Sequence, residues 1–395
     1  MRVRLNGMEI SLRRKIMRGK EKQRKRLWRR ERLMIRSGMP DTYFSQFMFS
    51  QLGLMHLIAP YLPKVITTDF GIVRQIRQLI AAMYRFEGKR PPEFRGPDGR
   101  TYFALGPTDQ EKVLVPYSGG KDGMYHMYWA MNAFGPENVM AVHISGLNPG
   151  NTSGEREFSA RQAKAFGFRH FRTIDLLNGS PNIGYAVMRS RDMFIVALLV
   201  PLALEFGASK IIIEGFAEVS RTEPFTGQEK NMLSFNKVLR ELRIPVQAFW
   251  RNDREMDVVR EMFTWRPDWM PLVHNCFTTP NRKLHLREVL FNGRYPHFPP
   301  YKSQCGLCVK CRIINLLGRI LWEESEEMKR LRTEHREEVA HFLKRTAEWV
   351  RHKWKTHHDM IGGSFLTNFR VAARLYGVNL GAFNKFLAGE VQQVD

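Results

Sequence analysis

Between residues 111 and 264 the sequence alternates five times between a short apolar run and a helix-period segment. The runs are "KVLVPYS", "NVMAVHISG", "RHFRTID", "KIIIEGF" and "IPVQAFW". Each is bounded by Gly, Pro or charged residues, and each is followed by apolar residues at helical spacing. This predicts helices over 121–134, 155–166, 190–206, 230–242 and 253–263. Strands that alternate with helices must be joined by crossovers, so they lie parallel in one sheet with helices on both faces. The expected fold class is therefore α/β: a doubly wound, mainly parallel, five-stranded sheet. Ligands of such sheets sit outside the carboxyl ends of the strands, at a topological switch point.

The flanks differ from this block. Residues 1–37 hold fifteen Lys/Arg against three Glu, about half of the chain's net charge of +23. This basic arm is either a solvated tail or a phosphate-contacting element, and a nucleic acid is the polyanion it would suit. Residues 38–110 read as a helical extension and linker. Ile72, Val73, Ile76, Leu79, Ile80 and Met83 recur at helix spacing as a core stripe, and Pro and Gly cluster over 87–110. Residues 265–317 are rich in Pro, His and Cys. Residues 318–395 read as helical, and one charged helix is expected from about 313 to 358, with Met328, Leu331, Phe342, Trp349 and Val350 as a partial apolar stripe that suits packing or a homodimer. The longest apolar run, Met193 to Phe206, is too short to span a bilayer, and no apolar stretch follows the basic N-terminus. With only four cysteines, all clustered, a cytoplasmic protein with no membrane partner is expected.

Two motifs carry chemistry. The first strand of the block ends in Ser118-Gly119-Gly120-Lys121-Asp122-Gly123 and runs into a predicted helix. Adjacent glycines let backbone N–H groups converge on an anion, and the helix N-terminus adds its dipole. Ser118 can donate to a phosphate oxygen and Lys121 can neutralise phosphate charge. Asp122 is either a Mg²⁺ ligand or an ordinary acid at a helix start. The spacing is neither that of the common P-loop nor that of the dinucleotide fingerprint. The second motif is Cys305, Cys308 and Cys311 in "QCGLCVKC", with Cys276 upstream. This spacing suits a closed tetrahedral Zn²⁺ site. His274, His285 and His297 are possible substitutes for Cys276, and an iron–sulfur cluster or redox dithiol are the rivals.

The sequence S-G-G-K-D resembles the PP-loop of the ATP pyrophosphatases, whose usual form, S-G-G-x-D-S, ends in a serine where this chain has Gly123. Combined with C-x2-C-x2-C near the end of the α/β block, the pattern over 111–317 is most similar to 7-cyano-7-deazaguanine synthases. "MRSRDMFIVALLVPLALEFGASKIIIEG" looks like that family's P-x-R-N-x-x-F segment. Arg191 stands at the arginine, Phe194 at the aromatic, Asp192 at the asparagine and Met188 at the proline. The resemblance implies an adenine nucleotide alpha hydrolase-like fold, ATP and Mg²⁺ as cofactors, and structural Zn²⁺. It also implies adenylation of 7-carboxy-7-deazaguanine, with ammonia as nucleophile. Ser118, Gly119, Gly120 and Lys121 would hold the phosphates beside Asp122 and Gly123. Ser145 and Gly146, after the second strand, would approach the adenine. Arg191 and Glu218 would contact the substrate. The alternatives are a PP-loop enzyme acting on a nucleic acid or protein, and a non-catalytic ATP- and nucleic-acid-binding module. The cysteines assigned to metal count against sulfur transfer.

Overall fold

The computed structural model describes residues 1–18, 25–99, 103–147, 152–178, 188–217, 224–274, 311, 313–357 and 363–391. The chain divides into two compact units. The first comprises Met1–Ser118, His126–Phe216 and Glu223–Arg251, and the second Gly119–Tyr125, Ala217–Thr222 and Asn252–Asp395.

The first unit is built on one sheet. Its parallel part consists of β6 (Asp109–Pro116), β7 (Val139–Ser145), β8 (His170–Asn178), β9 (Ala208–Ile213) and β10 (Gln247–Trp250). Their lateral order is β10-β9-β6-β7-β8. Numbered from β6 as the first, this is 3-2-1-4-5, the order of a doubly wound sheet. The apolar runs became strands because both faces are covered: Val113, Leu114, Val115, Ala141, Val142, Ile211 and Ile212 are all fully buried. The connecting helices are α3 (Lys121–Phe134), α4 (Thr152–Ala165), α5 (Arg191–Phe206) and α6 (Glu229–Glu241). All lie within a few residues of their predicted positions.

Among the described residues the sheet has ten strands rather than the expected five. The basic segment 1–37 forms three of them: β1 (Arg2–Asn6), β2 (Glu9–Arg18) and β3 (Lys25–Ser37). They pair antiparallel, and β3 pairs antiparallel with β8 through Leu33↔Asn178, Met34↔Leu177 and Ile35↔Leu176. β4 (Val65–Thr68) and β5 (Glu93–Arg95) complete the edge in parallel pairing. The physical reason lies in an alternation that the charge obscures. Val3, Ile10, Leu12, Leu33 and Ile35 are buried, while Arg2, Arg4, Arg13 and Arg32 are exposed. That is the period-2 pattern of a sheet covered on one face. The cover is α1 (Tyr43–Ile58), buried on nearly every side. It approaches so closely that a Cβ at Gly53 would lie 2.7 Å from Ile10 Cδ1. α2 (Arg74–Phe86) buries Ile76, Leu79, Ile80 and Met83 as its stripe predicts.

The apolar run Met193–Phe206 is α5, whose residues Met193 to Ala203 are almost all buried. It ends at Gly207, whose φ of +79° makes a left-handed cap with its N–H bonded to the Ala203 and Leu204 carbonyls. No helix among the described residues is long and apolar enough to cross a membrane.

In the second unit, α7 (Glu255–Trp265) precedes a C-terminal set of helices: α8 (Glu326–Glu334), α9 (Arg336–His357), α10 (Gly363–Leu375) and α11 (Gly381–Val391). The charged segment is thus broken rather than continuous. Ser325 caps α8 by accepting from the Met328 N–H, and His335 interrupts the chain before α9. Met328, Leu331 and Val350 are buried as expected, but Val339, Leu343, Thr346 and Ala347 line the buried side of α9.

His56 of α1 is fully buried. Its ring stacks on Phe194 at 4.5 Å, and its Nδ1 shares a hydrogen bond with Ser190 Oγ at 3.1 Å. Burial, reinforced by the Arg191 charge, lowers its pKa to about 4. The unfolded chain therefore binds a proton between pH 6.5 and 4 that the folded chain refuses. Stability from this residue is complete above pH 6.5 and is lost as the pH falls toward 4, by about 3 kcal/mol. The difference in unfolding free energy between wild type and His56→Gln, followed by urea titration from pH 7.5 to 4.5, should shrink along that limb. A pH-independent difference would contradict the buried neutral imidazole.

Candidate nucleotide site

The site begins at the end of β6. β6 is hydrogen-bonded to β7 on one side and β9 on the other. The crossovers of those neighbours leave on opposite faces, so a crevice opens outside its carboxyl end. Tyr117 is the last residue before the turn, and three groups fix it. Its N–H donates to the Val142 carbonyl at 2.8 Å. Its own carbonyl lies 3.0 Å from His143 Nδ1, and its hydroxyl donates to Gln162 Oε1 at 2.9 Å. Ser159 Oγ adds a contact of 3.3 Å to the same His143 nitrogen. Tyr117, His143, Ser159 and Gln162 are all buried, and they tie α4 to the sheet below it. Burial raises the Tyr117 pKa and lowers that of His143, so both are neutral at pH 7. Sequence reading missed this cluster, since its members are spread over three elements.

Ser118 follows, exposed, and Ser145 and Gly146 lie at the same edge of the first unit, at the end of β7. Gly146 has φ +88°, and a Cβ there would lie 1.8 Å from the Leu176 carbonyl oxygen. The glycine is thus required by the chain's own approach to β8. Arg191 opens α5, its Nε 2.9 Å from Asp192 Oδ1. Thr226 Oγ1, fully buried, lies 3.1 Å from the other Asp192 oxygen and 3.0 Å from the Met188 carbonyl, and its one proton serves either. Asp192 therefore orients Arg191, a partner that the asparagine of the resembled motif could not match in charge.

The rest of the motif belongs to the second unit. Gly119 has φ +79°, which favours glycine, and its carbonyl accepts from the His274 N–H at 2.8 Å. α3 starts at Lys121, and the Met124 N–H makes the first helical bond, to the Gly120 carbonyl. The N–H groups of residues 121–123 belong to the first turn of the helix, at the positive end of its dipole. Lys121 is only 3 % exposed and sits between two carboxylates, Asp122 and Glu255, with Glu255 Oε1 3.2 Å from its Nζ. Tyr125, one turn on, donates to Glu261 at 2.9 Å and stacks on Trp265. α7 thus holds the first turn of α3. Glu255 was not legible in the sequence, because it lies more than a hundred residues from Lys121. Gly123 is buried in that same turn.

Lys121 thus has two carboxylates beside it, Asp122 and Glu255. That donor set fits a hard divalent cation such as Mg²⁺, with Asp122 and Glu255 as ligands. Of the cysteines, Cys311 is buried. Cys276, Cys305 and Cys308 lie outside the described residues, as do Glu218, His285 and His297. Among the described residues no group of three or more His, Cys, Asp or Glu is gathered for a metal. No protein-family model matches the chain, and no curated protein matches its sequence.

Gly146→Ala should destabilise by about 3 kcal/mol, the sum of a left-handed backbone penalty and an overlap with backbone. Gly167→Ala, at φ +70° with open space around it, should cost only about 1–2 kcal/mol. Urea midpoints at constant m-value compare the two, and equal losses would contradict the close approach to β8.

Proposed function

We propose that this chain is an ATP-dependent adenylating enzyme that releases AMP and pyrophosphate. The observation that carries the reading is the glycine turn at the carboxyl end of β6, at the switch point of a 3-2-1-4-5 sheet. In this reading the N–H groups at the start of α3 and the Ser118 hydroxyl bind the ATP phosphates. Lys121 supplies the positive charge that stabilises the departing pyrophosphate. Asp122 and Glu255 would hold Mg²⁺, which supplies charge neutralisation when bound and leaves Lys121 to the phosphates. Gly123 takes the place of a serine hydroxyl, so backbone donors carry more of the binding.

The acceptor we propose is 7-carboxy-7-deazaguanine. Its carboxylate oxygen attacks the α-phosphorus and pyrophosphate leaves. Ammonia then displaces AMP from the acyl-adenylate to give the amide. A second adenylation, on the amide oxygen, allows AMP and a proton to leave and the nitrile to form. Arg191, oriented by Asp192, would bind the acceptor, with Glu218 reading the ring and Ser145 and Gly146 beside the adenine. The four cysteines, Cys276, Cys305, Cys308 and Cys311, would hold a closed structural Zn²⁺ that takes no part in the chemistry. A polymer-borne acceptor is the second reading, and the basic strands β1–β3 favour it.

Pyrophosphate release from ATP and ammonia should depend on 7-carboxy-7-deazaguanine and yield the nitrile; release indifferent to it would remove that acceptor. Lys121→Ala should lose about a thousandfold in rate. Glu255→Gln should raise the Mg²⁺ needed for half-maximal rate about tenfold. Wild-type rates in Lys121→Ala would remove the mechanism. Separately, purified protein should contain about one zinc per chain, and Cys308→Ser should lose both the zinc and soluble yield. Unchanged zinc content in that variant would refute the metal assignment.

A further inference from the structure

The β2–β3 ladder is longer than the sheet it joins. Among the described residues, β3 meets β8 last at Leu33↔Asn178, the carboxyl end of β8. Pairing between β2 and β3 continues for eight more pairs, from Ser11↔Arg32 to Arg18↔Lys25. At about 3.3 Å per residue, the hairpin extends about 26 Å past the end of β8; β1 flanks β2 as far as Arg2↔Arg13, so the last five pairs, about 16 Å, form a two-stranded ribbon. It leaves from the edge that carries Ser118 and Ser145, since β6, β7 and β8 are parallel. It is three strand spacings, about 14 Å, from β6.

Residues 12–18 and 25–32 of this extension contain nine Lys/Arg and one acid, Glu31. Glu31 is turned inward, buried, and bonded by the Tyr61 hydroxyl. The register sets like charges side by side: Arg2 opposite Arg13, Arg13 opposite Arg30, and Arg14 opposite Arg29. Like charges directly opposite destabilise a ladder, and a bound polyanion removes that cost. Consecutive positions 13, 14 and 15, and again 29 and 30, fall alternately on the two faces of the ladder. An element that lies on a membrane confines its cations to one face. A two-stranded ribbon with cations on both faces instead suits a nucleic-acid groove flanked by phosphates. The length of that two-stranded part matches about five base pairs at 3.4 Å each.

We propose that the β2–β3 hairpin binds a nucleic-acid backbone and presents that polymer to the carboxyl edge of the parallel sheet. The presentation to that edge rests on its reading as the adenylating site, and it develops the second reading above, in which the acceptor is borne on a polymer, here a polynucleotide. Binding is measured without ATP, so its failure and the failure of the adenylation reading are distinguishable. Deletion of 1–37 is not a clean test, because it strips the buried residues under α1.

The test is fluorescence anisotropy of the full chain with a labelled 30-base-pair mixed-sequence DNA duplex and with unfractionated tRNA, across a salt series. The variant Arg13→Gln/Arg14→Gln/Arg29→Gln/Arg30→Gln should bind at least one probe about tenfold more weakly or worse. Its log–log salt slope should fall by about three to four. The control Lys329→Gln/Arg330→Gln/Lys344→Gln/Arg345→Gln, with exposed cations of α8 and α9, should keep both. An unchanged hairpin variant, an equal loss in the control, or binding only to phosphatidylserine vesicles would overturn the proposal. In the wild-type background, a photo-cross-linking residue at Leu177, near the carboxyl end of β8, should capture the probe. One at Arg169, just before the amino end, should not. Equal capture from both positions would overturn the presentation to that edge.

Discussion

Tyr117 is held from three sides, by a strand neighbour, by a histidine from that same strand and by a glutamine from the helix above. The nucleotide site proposed for this protein starts from that anchorage. A strand in the middle of a parallel sheet has no freedom to shift laterally, because both ladders would break. The buried polar cluster then fixes where the chain leaves it. A glycine turn that starts from a fixed point can serve as a preorganised anion cradle; the same five residues on a mobile loop could not.

Charge is the second constraint, and it is distributed unequally. Around Lys121 the chain places two carboxylates against one ammonium, and at the start of α5 it pairs Arg191 with Asp192. Both cations are thus compensated within the fold. The hairpin differs: Glu31 is buried, and the register sets basic positions opposite one another. Cations paired with carboxylates are held in place at low cost, while a dense run of cations along a ladder suits a polyanion.

Much of the α/β block was legible, because strand and helix periods differ and each run there has one clear period. The helix over 121–134 and the buried stripe of α2 are direct readings of that kind. The N-terminal strands were not, because arginines at outward positions such as 2, 4, 13 and 32 mask the alternation of Val3, Ile10, Leu12, Leu33 and Ile35. Half of a two-period pattern is invisible when the other half is dense charge. The segment over 313–358 misled in the reverse direction: helical spacing continues across His335, but the backbone does not. Within the site, Lys121 and Asp122 could be named from their neighbours in sequence. Glu255, Thr226 and His143 could not, since only folding brings them to their partners. Gly146 was legible as a special position, although its glycine is explained by the Leu176 carbonyl.

The most direct test of the central claim is the identity of what ATP becomes. Phosphorus NMR of the full chain with Mg²⁺, ATP, ammonia and the deazapurine acid, or with tRNA in its place, resolves the products. The account predicts AMP and pyrophosphate in equal amounts, from attack at the α-phosphorus. ADP and inorganic phosphate would mean cleavage at the γ-phosphorus, and would contradict the reading of the glycine turn as a pyrophosphate cradle.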